Sequence, residues 1–473
     1  MKTFYITTTL PYINAEPHIG FAMEIIHADI VARAKRLQGF EVFFNTGSDE
    51  HGQKMYQKAK EAGKDPKVFM DEFALKFKDL KSILNLSEVK FVRTTDEHHK
   101  MAAQEFWKKC ADAGDIYKKE YKIRYCVGCE LEKTDSELVD GRCPLHPDKE
   151  IQISEETNYF FRFSKYAEKL LALYDEKRDF VLPDFRLNEI KALIGRGLED
   201  FSISRLVSKM PWGVPVPADS EHVMYVWFDA LVSYVSTIGW PDDSEIFNKW
   251  WPVVQFAGKD QVRQQAAIWQ AMLMSAGLPP SDKIIIHGFI NIGGQKMSKS
   301  IGNVVGPKEI INEYGTDALR YYLTREVNQF EDSDFTTERF KEAYNANLAN
   351  GLGNLVSRIM KMASDNLDSP VSIPEFENME EYFSFLNNYE IKKAADYIWK
   401  MIGEIDLDIQ QNEPFRLVKT DKEAGKKMIA DLVVKLYSVA RMLNPILPET
   451  SAKIKELIKS NKSPEKPLFL RKD

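Results

Sequence analysis

The chain has 473 residues, of which 44% are hydrophobic and 29% charged, with a net charge of −7 and four cysteines. That length exceeds one ordinary core and implies two to four domains, while the composition is that of a soluble globular protein. No apolar run is long enough to span a bilayer, and the acidic balance excludes a surface coated with cations for indiscriminate nucleic-acid binding. The opening MKTFYITTTL runs straight into strand-like sequence with no secretory pattern, so a cytoplasmic protein is expected.

In chain order, residues 2–10 and 41–47 read as strands, with an amphipathic helix over 19–38 between them. Residues 116–163 turn strand-rich and turn-rich and hold three of the four cysteines, as an inserted subdomain would. Strands then resume around HVMYVWFDA, PVVQFAGKD and KIIIHGFINI, each apolar and each followed by turn or helical sequence, the pattern of parallel strands. From about residue 340 only long helices follow, down to KLYSVARMLNPILPE, where Pro445 and Pro448 limit helix continuation. Basic and acidic residues balance beyond residue 340, and the lysine-rich end KIKELIKSNKSPEKPLFLRKD reads as a solvated or frayed tail. The fold class expected is α/β, a Rossmann-like parallel sheet split by an insertion and followed by an all-α domain.

Two clusters carry chemistry. Cys126 and Cys129, then thirteen residues, then Cys143 and His146 form two knuckles, C-V-G-C and C-P-L-H, able to close a tetrahedral structural zinc site. Cys110, inside the helical run EFWKKCADAG, reads as packing. There is no GxGxxG and no P-loop, so a nucleotide needs another cradle. EPHIGF, at a strand-to-helix turn, offers His18, helix N-terminal amides and the open backbone of Gly20. The loop GGQKMSKSIGN offers Lys296 and Lys299, three residues apart, for a leaving pyrophosphate.

With these motifs in order, the chain resembles the class I aminoacyl-tRNA synthetases, and among them the methionyl-tRNA synthetases, over its whole length. PHIGF matches the first signature of that class and KMSKS, residues 296–300, the second; TGSDEHG, RGLEDFSISR, WGVPVP, YVWFDA, GKD and HGF follow the family's order. The resemblance implies ATP-dependent joining of L-methionine to initiator and elongator tRNA(Met) through a methionyl-adenylate. It also implies Mg with the ATP substrate, one structural zinc and a monomer without membrane contact. The division it suggests is a catalytic domain over 1–115 and 221–305, a zinc-knuckle insertion over 116–220, a linker over 306–340 and an anticodon-binding bundle over 341–473. By the same resemblance, His18, Gly20, Phe21, Gly258, Asp260, His287, Lys296, Lys299 and Ser300 face ATP. Leu10, Tyr12, Asp49, Arg205, Trp227, Ala230, Leu231, Tyr234, Gln261 and Gln265 enclose methionine, and Asn354, Arg358 and Phe415 read the anticodon.

Four residues depart from the family's pattern. Phe21 stands where a second signature histidine is common, and His27, about 180° away round an ideal helix from His18, is no substitute. Gln261 and Gln265 replace an aliphatic residue and a histidine, and Phe415 replaces a tryptophan. Spacings of 3, 7 and 11 put Asn347, Asn350, Asn354 and Arg358 on one α-helical face, where the first two read as plain solvent-facing polar residues. Two alternatives stay open from sequence: a sister ligase for leucine, isoleucine, valine or cysteine, and a non-catalytic tRNA-binding relative.

Overall fold

The structure, a computed structural model, describes residues 2–13, 16–129, 131–133, 137–297, 303–374 and 379–473. The chain forms two compact units. The first comprises Met1–Pro17, Glu41–Leu80 and Glu88–Ile286, and the second His18–Phe40, Lys81–Ser87 and His287–Asp473. Among the described residues no helix is long and apolar enough to cross a membrane.

The first unit is built on a parallel six-stranded sheet. Its strands are β1 (Thr3–Thr7), β2 (Glu41–Ser48), β3 (Lys90–Arg93), β4 (Val181–Leu182), β5 (Val253–Gly258) and β6 (Lys283–His287), in the spatial order β3-β2-β1-β5-β6-β4. Both β2 and β5 pair with β1, so the chain reverses its direction of travel at β1 and leaves a crevice beyond the carboxyl ends of β1 and β5. Every residue of β5 is buried, as expected for a strand covered on both faces. β2 and β3 approach so closely that a Cβ on Gly47 would lie 2.0 Å from the Val92 carbonyl oxygen, and only glycine fits. Aromatic rings fill one side of the core: Phe106 stacks on Trp269 at 5.7 Å and meets Phe228 and Trp240 edge-on.

Between β3 and β5, an antiparallel sheet is formed by Ile116–Cys126, Leu131–Glu132 and Gln152–Phe161, which precede β4, and Phe201–Ser202, which follows it. It carries the cysteine knuckles, as the sequence predicts. The segment HVMYVWFDA differs from expectation. Asp219–Met224 pairs antiparallel with Ser204–Leu206 and Pro215–Val216 in a separate small sheet, and Val226–Ala230 is helical. Its apolar run matches a buried parallel strand, but Asp219–Met224 is the central strand of that small antiparallel sheet, with His222 buried against Asp219 and the Thr157 carbonyl, and β4 supplies the edge of the parallel sheet instead.

The second unit contains helix α1 (Ile19–Leu37) and the C-terminal helices, among them Asn354–Asn366, Ile391–Asn412, Lys422–Leu443 and Pro448–Ser460. α1 ends where Gly39 takes φ +83° and the Phe40 N–H returns to the Lys35 carbonyl at 3.0 Å. Although amphipathic in sequence, α1 is buried nearly all round, including Glu24, His27 and Asp29. Each of these finds a partner. His27 Nε2 lies 3.0 Å from the Leu323 carbonyl, and burial lowers its pKa to about 4. Arg320, fully buried, donates to Asp29 (2.8 Å) and to the carbonyls of Leu84 (3.0 Å), Pro445 (2.8 Å) and Ile446 (2.8 Å).

The C-terminal tail corrects the expectation of a frayed end. Phe469 is buried, Tyr344 donates to the Leu470 carbonyl (2.9 Å), and Asn345 pairs with the Lys472 backbone through two hydrogen bonds of 2.7 and 2.9 Å. Charge count suggested solvation, but the apolar PLFL stretch within the lysines supplies the anchor.

Replacing Arg320 with Met is expected to destabilise the second unit by about 3–5 kcal/mol, because buried Asp29 keeps only Arg33 and Ser87 as partners and the carbonyls of Leu84, Pro445 and Ile446 lose their donor. Urea unfolding followed by amide exchange in α1 measures this, and the pair change Asp29→Leu with Arg320→Met is expected to recover part of the loss.

Candidate functional site

In the first unit the chain leaves β1 through Leu10, Pro11 and Tyr12. The Asp49 N–H donates to the Pro11 carbonyl (3.0 Å), and Tyr12 and Asp49 form a parallel bridge just beyond β2. The loop carrying Asp49 is locked by its neighbour Glu50. That buried carboxylate accepts two hydrogen bonds from Arg93 (2.6 and 2.7 Å) and one each from Ser48 and Thr95 (2.5 Å). Tyr12 meets the Trp227 ring edge-on at 6.2 Å. Leu10, Leu231 and Tyr234 are buried in the same apolar core, and Ala230 is buried on the helix that carries Trp227.

That helix is fixed by a group sequence reasoning missed. Asp229, wholly buried, accepts from His51 Nδ1 and His99 Nε2, each at 2.7 Å. Burial pushes its carboxyl up, but His51 and His99 together outweigh this and hold it at about 2. A signal was present, since His51 lies in TGSDEHG and Asp229 in YVWFDA. Reading the motifs for ligand contacts left their mutual contact unseen.

Arg205 lies over Tyr225 at 4.6 Å and Tyr125 at 5.4 Å and donates to Ser202 Oγ (2.8 Å) and the Ser204 carbonyl (2.7 Å). It lines a cavity of about 370 Å³ with Gly52, Gln53, Tyr225 and Val226. None of the other nine residues expected around methionine lines that cavity. Gly258 ends β5, Asp260 is exposed in the turn Lys259–Gln261, and Gln261 is half-buried. Gln265 is buried in a π-helical turn, Arg263–Ile268, an irregularity frequent at functional sites.

In the second unit His18 caps α1. Its Nδ1 accepts from the Gly20 N–H at 3.1 Å, which leaves the Nε2 position to carry the proton of the neutral ring as a donor. A Cβ on Gly20 would sit 2.9 Å from the His18 ring and 3.4 Å from the Met297 methyl, so this glycine is what admits the ring. Phe21, next in the first turn of α1, is half-buried. His287 is buried, with Nδ1 2.7 Å from the Gly288 carbonyl and Nε2 2.8 Å from Glu24, a partner that sequence did not suggest. Lys299, Ser300 and the side chain of Lys296 lie outside the described residues.

The knuckles bring four donors together: Cys126, Cys129, Cys143 and His146 place their ligand atoms within 4.8 Å of one another. Cys129 and Cys143 sulfurs are 3.4 Å apart, and His146 Nδ1 is 3.2 Å from Cys129 and 3.9 Å from Cys126. Ligands bound at 2.3 Å on a tetrahedron are separated by about 3.7 Å, so the donor set fits one zinc ion with no open position. A Cβ on Gly128 would lie 2.4 Å from the His146 ring, which only a glycine in the first knuckle permits. Cys110 is buried away from this cluster, its thiol pushed up to about 12 by burial.

On the helical side, Tyr344–Gly353 is π-helical before the α-helix Asn354–Asn366 begins. The wider turns change the phase, so the spacing of 3, 7 and 11 does not define one straight face. Asn350 and Asn354 are exposed, whereas Asn347 is half-buried and accepts from Arg325 at 3.2 Å. Arg358 pairs with Asp406, and Phe415 is exposed beside Arg416 at 5.8 Å.

A reversing parallel sheet divided by a zinc-knuckle insertion and followed by a helical region is the architecture of a class I tRNA synthetase. The family described as "tRNA synthetases class I (M)" matches residues 4–152 and 147–360, and the chain belongs to it. The methionine–tRNA ligase of Thermotoga maritima is 42% identical over 98% of this chain and 76% of its own length. That of Clostridium acetobutylicum is 40% identical over 96% and 73%. The Mycobacterium tuberculosis methionyl-tRNA synthetase in complex with methionyl-adenylate superposes with a TM-score of 0.93 at 36% identity over 100% of both chains.

Two outcomes are expected. Cys143→Ser lowers zinc content from about one ion per chain and exposes residues 127–151 to limited proteolysis, measured by metal analysis and peptide mapping. For Asp229 the folded value lies below the unfolded one, so its stabilisation, about 2 kcal/mol, is complete above about pH 4 and is lost as pH falls through about 2. Acid unfolding of Asp229→Asn is expected to lack that component.

Proposed function

We infer that this chain is a methionine–tRNA ligase. It joins the L-methionine carboxylate to the α-phosphorus of ATP, breaking the bond to pyrophosphate, and transfers the methionyl group to a hydroxyl of the terminal ribose of tRNA(Met), releasing AMP. The observation that carries this is likeness along the full chain to a synthetase solved with methionyl-adenylate. The family match and the ordered motifs favour catalysis over a purely tRNA-binding role.

Little proton transfer is needed; positioning and charge stabilisation dominate. His18 is proposed to offer its Nε2–H to an ATP phosphate, with Gly20, Phe21 and His287 around it and Lys296, Lys299 and Ser300 on the pyrophosphate. Gly258 and Asp260 are proposed to hold the ribose. Asp49, rigid behind Glu50, would take the α-ammonium with Arg205 ordering that end. Leu10, Tyr12, Trp227, Ala230, Leu231, Tyr234, Gln261 and Gln265 would enclose the side chain, since aromatic and aliphatic walls suit a polarizable thioether. Asn354, Arg358 and Phe415 are proposed as readers of anticodon bases, the phenyl ring by stacking. The substrate set extends to initiator and elongator tRNA(Met). The working form is a cytoplasmic monomer using Mg-ATP and divided functionally as set out from sequence, with a structural zinc.

Methionine-dependent exchange of pyrophosphate into ATP tests the activity; no exchange at saturating methionine, or faster exchange with leucine, isoleucine, valine or cysteine, overturns it. In the same assay His18→Ala is expected to lose about 10²–10³-fold in rate. Phe21→His is expected to keep or raise the rate, and near-normal rates in both refute this reading of the turn.

A further inference from the structure

Behind Tyr234 and Gln265 lies a chain of hydrogen bonds from which bulk water is absent. Gln255 and Gln265 are 1% exposed, Gln270 and Ser281 are 0% exposed, and Tyr234 is 2% exposed. Its direction is set by backbone groups that cannot reverse. The Ser281 N–H only donates, and it meets Gln270 Oε1 at 3.0 Å. The Gln265 carbonyl only accepts, and it meets Gln270 Nε2 at 2.9 Å. These two bonds independently fix the Gln270 amide, whose Nε2 therefore also donates to Ser281 Oγ at 3.1 Å. The serine hydroxyl, already accepting, passes its proton to Gln255 Oε1 at 2.5 Å. Gln255 Nε2 then donates to Gln265 Oε1 (2.9 Å), and Gln265 Nε2 donates to Tyr234 Oη (2.9 Å). Flipping Gln255 would leave the Ser281 hydroxyl facing an NH₂ group with no acceptor for its proton, and with Gln265 in place would point two acceptors at each other, a costly arrangement without water.

We propose that Gln255, held by Ser281 and Gln270, is a specificity-determining positioning residue that fixes the Gln265 amide with its N–H side towards Tyr234. The amino-acid pocket thereby ends in hydrogen-bond donors. This rests on the assignment of Tyr234 and Gln265 to the wall around the methionine side chain. A thioether sulfur is a weak acceptor and can meet a donor, whereas a methylene of the same shape leaves it unmet. Norleucine, which carries CH₂ where methionine carries sulfur, is therefore the analogue this polarity rejects. Tyr5 donates to the Tyr234 carbonyl at 2.8 Å, holding the tyrosine at the end of the chain.

The test compares methionine and norleucine in pyrophosphate exchange for the full chain, Gln255→Met and Ser281→Ala, with kcat and KM read separately. Gln255→Met removes the N–H that holds Gln265 Oε1, so the Gln265 amide is free to reverse; Ser281→Ala removes the hydroxyl that orients Gln255. In each variant the methionine-to-norleucine ratio of kcat/KM is expected to fall at least about tenfold, through a raised KM for methionine with norleucine little changed. An unchanged ratio, or an equal loss for both amino acids, overturns the proposal, and Ser281→Ala decides if Gln255→Met does not fold. If the parent chain gives no exchange with methionine, the activity itself fails; if it does and the ratios stay fixed, only the role of Gln255 falls.

Discussion

The carboxylate of Asp29 sits in the middle of α1 with no access to water, and the second unit is organised around keeping it charged. Burial alone would push its pKa up, but Arg320, Arg33 and two hydrogen bonds from Ser87 hold it below the ordinary carboxylate range. The Arg320 guanidinium ties α1 at once to the segment Lys81–Ser87 and to the turn at Pro445 and Ile446. A pair this deep gives little net stability over an apolar substitute, yet it admits one registration of its elements and penalises every other. Fixing the middle of α1 fixes its first turn, and the first turn carries His18 and Gly20.

The first unit follows the same logic with different groups. A ligase of this class moves few protons during adenylation, so its requirement is a rigid frame with donors and acceptors aimed in advance. Glu50 under the Asp49 loop, Asp229 between two imidazoles, and the glutamine chain behind Tyr234 are three buried polar networks of that kind. Each ends beside a residue proposed to touch substrate. Such networks specify position because a partly satisfied alternative is worse than an apolar core.

Much of this was legible in sequence where local pattern and chemistry agree. The run TFYIT, the helix after PHIGF and the strand EVFFNTG fall where periodicity puts them, and the knuckle spacing gathered the four zinc donors. HVMYVWFDA misled because an apolar run does not reveal whether its neighbours are parallel or antiparallel. The C-terminal tail misled because lysine content hid the anchoring by Phe469. The common face of Asn347 to Arg358 holds only for an α-helix, and nothing local announces the π-helical turns. Asp229, Glu24 and Gln255 stayed hidden for a further reason. Their partners are distant in sequence, and a buried polar residue announces only that some partner exists.

The way the two units are threaded has a consequence for modularity. Residues 18–40 and 81–87 belong with the last part of the chain, so neither unit corresponds to a continuous stretch that could be excised or exchanged. A fragment starting at residue 287 would contain Arg320 but not Asp29, and would therefore leave that guanidinium without its hydrogen-bonded carboxylate. Recombination with a relative at a boundary drawn along the sequence would divide that pair between parents, and would succeed only where both lineages had kept the same two charges. The helical half of this protein is thus tied to residues 18–40, and a substitution at either member of the Asp29–Arg320 pair is coupled to the other although almost 300 positions separate them.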